Sequence, residues 1–409
     1  MKKYLSHPLL SLSKESYVSL IIFLAPFANF LGGVSTDMYS PSLPAVMNYF
    51  HSSMAAAKNT ISIFLFGWAI GAIFFGVLID TFGRKKVLLG GLFIYLLASV
   101  FAPFSQNIHE LMAARFLQGF SVASITVGVR VLVIDVVKGK RFLAAMLYVS
   151  MGYSLGPIIG PFMGGLFQHY FGWKSNFILL AVTSFFILIV LILFLKETIE
   201  VRHSLKISHI AKRYYSVIFH RTYLIGVVLG GLGQVEIMLY PTLGPFIVEQ
   251  QLHQTAIVYG NSALMVGSCY FLGSLIGRAL LKYLRPKIIC DVGLCLQLFS
   301  VLVAILFAKL LPMELTTVML PVSMLCIGVG VYMPTLLGYN IKQFSHIPGI
   351  AMAVQVACLS TVAAFGIFLV SHVYVHTLWK IAAILIALFL VASVLFFGFY
   401  RSSFEEEAV

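Results

Sequence analysis

Apolar residues recur along this chain in twelve stretches of about 20 positions, separated by short polar loops. They fall at about 18–41, 57–79, 87–105, 110–135, 143–168, 175–195, 223–247, 257–281, 288–308, 314–338, 350–372 and 377–399. The hydrocarbon core of a bilayer is ~30 Å thick and takes ~20 apolar residues of helix to cross. In lipid, only helices and closed barrels satisfy every backbone polar group. The pattern therefore predicts an all-α integral membrane protein with twelve transmembrane helices. The longest polar segment divides the stretches six to six, which predicts a cytoplasmic tail (1–17), a first bundle (18–195), a basic linker (196–222), a second bundle (223–399) and a second tail (400–409).

A trace of duplication supports the two bundles. The segment from Gly76 to Val87 joins the second and third stretches, and that from Gly277 to Ile288 joins the eighth and ninth. Gly, Arg, Lys and a β-branched residue recur at matching offsets, as a parallel six-helix repeat predicts. Secondary transporters built from such repeats bind substrate near the midplane, between the halves.

Composition agrees with the pattern. The chain is 60% hydrophobic and 10% charged, with mean hydropathy +0.99, too apolar for a soluble core to hold. The net charge of +13 would suggest nucleic acid in a soluble chain. Here the basic residues sit between spans. The tail and alternate loops carry 20 Lys and Arg, from Lys2 and Lys3 through Arg84–Lys86 and the linker to Arg401. The opposite loops carry 4: Lys58, Lys174, Lys309 and Lys380. By the positive-inside rule both termini face the cytoplasm, and a bacterial inner membrane is expected. The five Cys lie in apolar stretches without a CxxC pair, and the eleven His show no metal-ligand spacing. No metal, cofactor or nucleic acid is expected. No nucleophile–base pair or phosphate loop points to an enzyme.

Charged side chains within spans cost at least ~2.5–3.5 kcal/mol each on insertion scales, so they mark function by default. Asp37, Arg115, Arg130, Glu236 and Arg278 lie within spans; Asp135 and Asp291 lie nearer their ends. Burial disfavours the charged form of a carboxylate, so a proton or organic cation can compete for Asp37. The plainer reading of Asp37 is a helix-end acid near the Pro41/Pro44 break. Arg115 needs a partner in a low-dielectric interior; with Gln118 one turn on, it offers donors to a cavity between the halves. Glu236 sits in a Gly- and Pro-rich span, as a second proton or cation site or as a carboxylate bonded to a neighbouring helix. Arg130 and Asp135 are five apart, too far round the helix for an ideal pair, so Arg130 is expected to reach another helix as a structural or gating contact. Gly152, Gly156, Gly160 and Gly164 recur every four residues, a smooth ridge for close helix approach, and Pro157 and Pro161 bend it. In the loop after the second span, Gly76, Asp80, Gly83 and Arg84 read as a conformational latch holding the halves together. Asp80 would accept from helix-terminal amides and pair with Arg84, and Gly83 permits the tight turn. Aromatics, 14% of the chain, suit a cavity for lipophilic ligands. Tyr39, Phe64, Trp68, Tyr148, Tyr153, Tyr240, Tyr332 and Tyr339 are the candidates to face it. Asn29 is placed there too, two turns before Asp37.

Several of these motifs resemble those of the major facilitator superfamily. GVLIDTFGRKKVLL at 76–89 is similar to its loop motif, and Arg115-Phe-Leu-Gln118-Gly119 to its Arg-x-x-Gln-Gly motif. The Gly/Pro run from Gly152 to Gly165 looks like the motif of its drug–proton antiporters. Thr36-Asp37-Met38-Tyr39-x-Pro41-x-Leu43-Pro44, and Arg130 with Asp135, resemble the Bcr/CflA drug-resistance group. Where that group has a second Arg before this Asp, the chain has Ile134; for Ser-Pro-Phe in span 7 it has Gly244-Pro245-Phe246. Where some relatives carry a second acid on span 1, it has Asn29. The resemblance implies the major facilitator fold and proton-coupled export of hydrophobic or toxic small molecules by alternating access. Coupling would run through Asp37, Arg115 and Glu236, with Asn29, Tyr39, Gln118 and Tyr240 at the cavity. It also prefers a hinge in the Gly/Pro span over plain packing. The alternative is a dedicated exporter of an endogenous metabolite, such as a siderophore or amino-acid derivative. A monomer working with substrate, protons and lipid is expected.

Overall fold

The computed structural model describes residues 13–199, 215–344 and 348–404. The tail lysines Lys2 and Lys3, the linker cations Arg202, Lys206, Lys212 and Arg213, and residues 405–409 lie outside the described residues. Within them the chain forms twelve long helices: α1 (Lys14–Asp37), α2 (Met54–Phe82), α3 (Arg84–Phe101), α4 (Ile108–Val136), α5 (Lys140–Phe171), α6 (Lys174–Phe194), α7 (Arg221–Pro245), α8 (Ala256–Leu280), α9 (Pro286–Leu310), α10 (Leu315–Lys342), α11 (Pro348–Ser371) and α12 (Leu378–Leu395). Eleven are long and apolar enough to cross a bilayer by length and composition; in α5, Gly, Pro, Ser and Tyr dilute the apolar residues.

Several helices run a few residues past the apolar stretches. Polar groups that end a hydropathy run can still continue a helix when capped at the membrane surface. Ser53 accepts from the amide of Ala56, Asn107 from Glu110 and Thr255 from Val258. The first span is the exception. It stops at Asp37, and a 3-10 turn (Ser40–Ser42) and a short helix (Leu43–Tyr49) follow. Pro41 lacks the N–H that the helix would need.

Packing follows the repeat. In the first half α1 lies on α5, α2 on α4, and α3 on α4 and α6. In the second, α7 lies on α11, α8 on α10, and α9 on α10 and α12. Adding six to each first-half pairing gives the second-half pairing, as the parallel repeat requires. The halves meet along α2 against α11 and α5 against α8.

The four-residue glycine ladder of α5 is a close-packing surface against α1. A Cβ on Gly156 would sit 2.2 Å from the Gly33 carbonyl carbon, and one on Gly152 2.2 Å from the Pro26 oxygen. Gly160 and Gly164 meet Met38 in the same way. Another face of α5 presents Pro157 and Pro161 to α8, where Gly267 and Gly260 bring the backbones together. Thus α5 is wedged between α1 of its own half and α8 of the other.

Gly156→Ala forces backbone apart and should cost about 1–3 kcal/mol, the usual range for overpacking. Gly90 has open space around it, and Gly90→Ala should be neutral or slightly stabilising. Melting curves of the two purified variants compare them; equal curves would sink this account of the contact.

Candidate functional site

The first half is built around a fully buried arginine. Arg115, on α4, donates from Nη1 to the Ser35 carbonyl (3.0 Å) and to Gln118 Oε1 (2.9 Å). Its guanidinium lies over the rings of Phe64 (4.3 Å), Tyr39 (4.9 Å) and Phe177 (6.0 Å). Such cation–π contacts are worth ~0.5–2 kcal/mol each, most when desolvated. Gln118 passes the network on, donating to Ser99 on α3 (2.8 Å). Ser35 shares a 2.6 Å bond with Tyr95, also on α3.

Asp37 closes α1 just beyond this cluster. It is buried, the charge of Arg115 acts on it, and neither of its oxygens has a hydrogen-bond partner. It lines a narrow cavity between the halves, with Pro157 and Pro161 of α5, Ile237, Tyr240 and Pro241 of α7, Ala263, Val266, Gly267 and Tyr270 of α8, and Cys326 of α10. Asp37 is the one carboxyl group in that lining. An acid among aromatic and apolar walls can hold a proton or a lipophilic cation.

Of the side chains expected at the cavity, Tyr240 is there. Its hydroxyl bonds Ser262 (2.6 Å), and its ring stacks on Tyr259, whose hydroxyl reaches Ser40 of the first half (2.9 Å). Other placements correct the expectation. Asn29 donates to the Val149 carbonyl (2.8 Å), joining α1 to α5. Tyr39 and Gln118 are occupied by Arg115. Tyr148 is exposed, and Tyr339 donates to the Ser403 carbonyl (2.8 Å). Neighbouring polar groups inside each half compete for these side chains, which hydropathy does not register.

Glu236 is not among the residues that line the cavity. It is fully buried within the second half and accepts from Gln297 Nε2 of α9 (2.6 Å), the bonding to a neighbouring helix that was one of its two readings.

The loop between α2 and α3 departs from expectation in its partners. Arg84 bonds Asp135 at the end of α4 (Nε–Oδ2 2.9 Å) and Asp80 more loosely (3.4 Å). Asp80 is half exposed, and the carboxylate of Glu197 takes the helix-terminal amides instead. Glu197 accepts from the backbone of Arg84 (2.9 Å) and Lys85 (3.3 Å). Gly83, at φ +103°, makes room: a Cβ there would lie 2.3 Å from Glu197 Oε2. Thr198 adds a bond to Asp135 (2.7 Å). All these groups belong to the first half, so among the described residues the loop braces that half, and no bond from it to the other half is seen. Gly76 lies inside α2. Asp135 pairs with Arg84, while Arg130 reaches across to Met352 of α11 (Nη1–Sδ 3.9 Å).

Among the described residues, polar bonds between the halves gather at the other end of the bundle. Lys58, counted from sequence as a loop cation, is buried in α2. It donates to the Val373 carbonyl (3.2 Å) and lies over the Phe246 ring (5.3 Å). Ser371 donates to Asn59 (2.6 Å) alongside. Nothing in hydropathy marks Lys58; its position opposite the basic loops was the available signal.

Comparison with known proteins agrees with this architecture. A family profile described as Major Facilitator Superfamily matches residues 26–344. An uncharacterized transporter of Rickettsia bellii is 25% identical over 378 residues, 89% of this chain and 91% of its own. The multidrug resistance protein MdtM of Escherichia coli is 24% identical, covering 80% of this chain and 79% of its own. The chloramphenicol resistance protein CraA of Acinetobacter baumannii is 25% identical, covering 87% and 85%. The crystal structure of a D-xylose-proton symporter superposes with a TM-score of 0.76 at 14% identity, over 93% of this chain and 97% of that one. This last likeness shows the fold alone.

Removing the Glu197 carboxylate leaves the first amides of α3 without their cap. Glu197→Ala should therefore lower stability by about 0.5–2 kcal/mol, the range for a lost N-cap. Thermal denaturation in detergent measures it, with Glu15→Ala, at an exposed position, as the variant expected to leave the curve unchanged.

Proposed function

Because this chain belongs to the major facilitator superfamily, we propose that it exports hydrophobic, toxic small molecules across a bacterial inner membrane in exchange for protons. The observation that carries this is Asp37: an acid without a hydrogen-bond partner, facing a narrow apolar and aromatic cavity between two halves. Asp37 accepts a proton when the cavity opens outward and gives it up when the cavity opens inward, and substrate takes the opposite path. Arg115 positions the end of α1 through Ser35 and sets the charge beside Asp37. Substrate and proton each shift the two-state equilibrium by their different affinities for the inward and outward forms.

With the Lys/Arg-rich loops in the cytoplasm, both termini are cytoplasmic. The Lys58–Val373, Asn59–Ser371 and Ser40–Tyr259 contacts then close the outer side. A cavity for a drug-sized ligand is typically ~300–1,000 Å³. The narrow space beside Asp37 must widen to receive one, and the boundaries α2/α11 and α5/α8 are where it does so. Asp37, Arg115 and the cavity all belong to one chain, in keeping with action as a monomer. The names of MdtM and CraA, multidrug and chloramphenicol resistance proteins, support this reading.

Efflux of ethidium and chloramphenicol from cells expressing the protein is the direct test. Efflux is expected, is abolished by an uncoupler, and falls in Asp37→Asn to the level of cells lacking the protein. A well-expressed protein that exports neither compound would turn the assignment towards a dedicated exporter of an endogenous metabolite.

A further inference from the structure

Of the seven buried side-chain oxygen atoms in the described second half that lack a hydrogen-bond partner, three are Glu236 Oε1, Gln297 Oε1 and Tyr332 Oη. They belong to one cluster. Gln297 donates to the other Glu236 oxygen (2.6 Å), and Glu236 acts electrostatically on Tyr332, which lies close to Gln297. The Tyr332 hydroxyl fills the space beside Gly233, 2.8 Å from where a Cβ would be, one turn before Glu236 on α7.

Among the described residues no cation bonds Glu236 or acts on it. From α10, Tyr332 and Cys326 are the titratable groups on which its charge acts. α9 contributes Gln297, and α11, packed on α7 at Gly231 and Val235, contributes Val362 and Gly366. α8 contributes Tyr259 and Ser262, which engage Tyr240 one turn further on. Tyr400 meets α7 at Gly226, nearly three turns away. A carboxylate in such a place, with one neutral donor and no cation, is strongly penalised. A protonated carboxyl is not, provided its O–H finds an acceptor. Gln297 serves both forms. Its amide nitrogen donates to the ionised group, and turned over, its oxygen accepts from the protonated one.

We propose that Glu236 is a second proton-binding site, inside the second half and out of contact with substrate, which gains and loses a proton as α7 moves. α7 supplies the link. Ile237, Tyr240 and Pro241 of this helix line the cavity with Asp37, while Glu236 points into the bundle. Gly230, Gly231 and Gly233 on one side of Glu236, and Pro241 and Pro245 on the other, are the residues that let a helix bend. A shift of α7 that opens the cavity also alters the packing around Glu236, and with it the relative cost of the charged and neutral forms. The cycle then moves protons at two acids, one per half; this count rests on the proton-coupled reading of Asp37.

Infrared difference spectra of the purified protein between acid and alkaline pH test the proposal without any substrate. Among the carboxylic-acid C=O bands that titrate, one should belong to Asp37 and another to Glu236. Glu236→Gln should remove one and leave the other, and Asp37→Asn should do the reverse. Gln297→Leu, which keeps the acid in place, should displace the midpoint of the Glu236 band alone and covers the case in which Glu236→Gln does not fold. A Glu236 band absent from the difference spectrum, or one whose midpoint ignores Gln297→Leu, overturns the proposal. If both bands behave as expected but no compound is exported, the exporter reading fails and the site stands. If export is proton-driven and only the Asp37 band titrates, the site alone fails.

Discussion

A guanidinium at bilayer depth must be surrounded by groups that tolerate its charge, and meeting that need for Arg115 organises most of the first half. Its bonds and ring contacts draw in Ser35 of α1, Tyr39 just beyond it, Phe64 of α2, Gln118 of its own α4 and Phe177 of α6. Gln118 extends the reach to Ser99 of α3. One buried cation thus ties five helices through polar and cation–π contacts. α5 stands outside this network. It is joined to α1 by the Asn29 bond and by glycines that let the backbones touch. Of the two first-half helices that border the other half, α2 belongs to the network and α5 is held mainly by shape, and a contact made of van der Waals packing can slide where a network of directed bonds cannot.

The two halves share a helix arrangement but not a charge arrangement. The polar centre of the second half is an acid, Glu236, with Gln297 and Tyr332, where that of the first is Arg115. The clamps at the basic end are reversed as well. In the first half an acid after α6, Glu197, caps the start of α3. In the second a base after α12, Arg401, makes a two-pronged bond to Asp291 near the start of α9 (2.9 and 3.1 Å). The halves share the packing of their backbones, while each surrounds its buried charged side chains with different partners.

That difference explains what could be read in advance. The twelve helices and the two bundles follow from hydropathy and loop charge, because a bilayer leaves a chain few other options. The short loop motif around Asp80 and Arg84 read as a latch between the halves, whereas its bonds lie within one of them; Asp37 was marked as exceptional by the cost of an acid so placed. The partners were not legible. Glu197 lies 113 positions from the amide it caps, and Lys58 lies 315 from the carbonyl it meets. Spacing along the chain says nothing about such pairs. Asn29, Tyr39 and Gln118 were assigned to the cavity because polar residues within spans suggest one; each instead serves another buried group. A polar residue in a membrane bundle is evidence of a partner before it is evidence of a ligand.

The distribution of bonds between the halves bears on how the molecule cycles. At the basic end each clamp is internal to its half: Arg84 with Asp135 and Glu197 in one, Arg401 with Asp291 in the other. Across the halves at that end, Arg130 meets Met352 at 3.9 Å, a weak contact to a thioether. At the opposite end the halves are joined by Lys58 with Val373, Asn59 with Ser371 and Ser40 with Tyr259. Among the described residues, separating the halves at the basic end breaks few of these directed bonds and leaves both clamps intact, whereas separating them at the opposite end strands a buried ammonium. Opening at that end requires a compensating interaction. Protonation of an acid that lacks a hydrogen-bond partner, such as Asp37 in the cavity between the halves, can supply one.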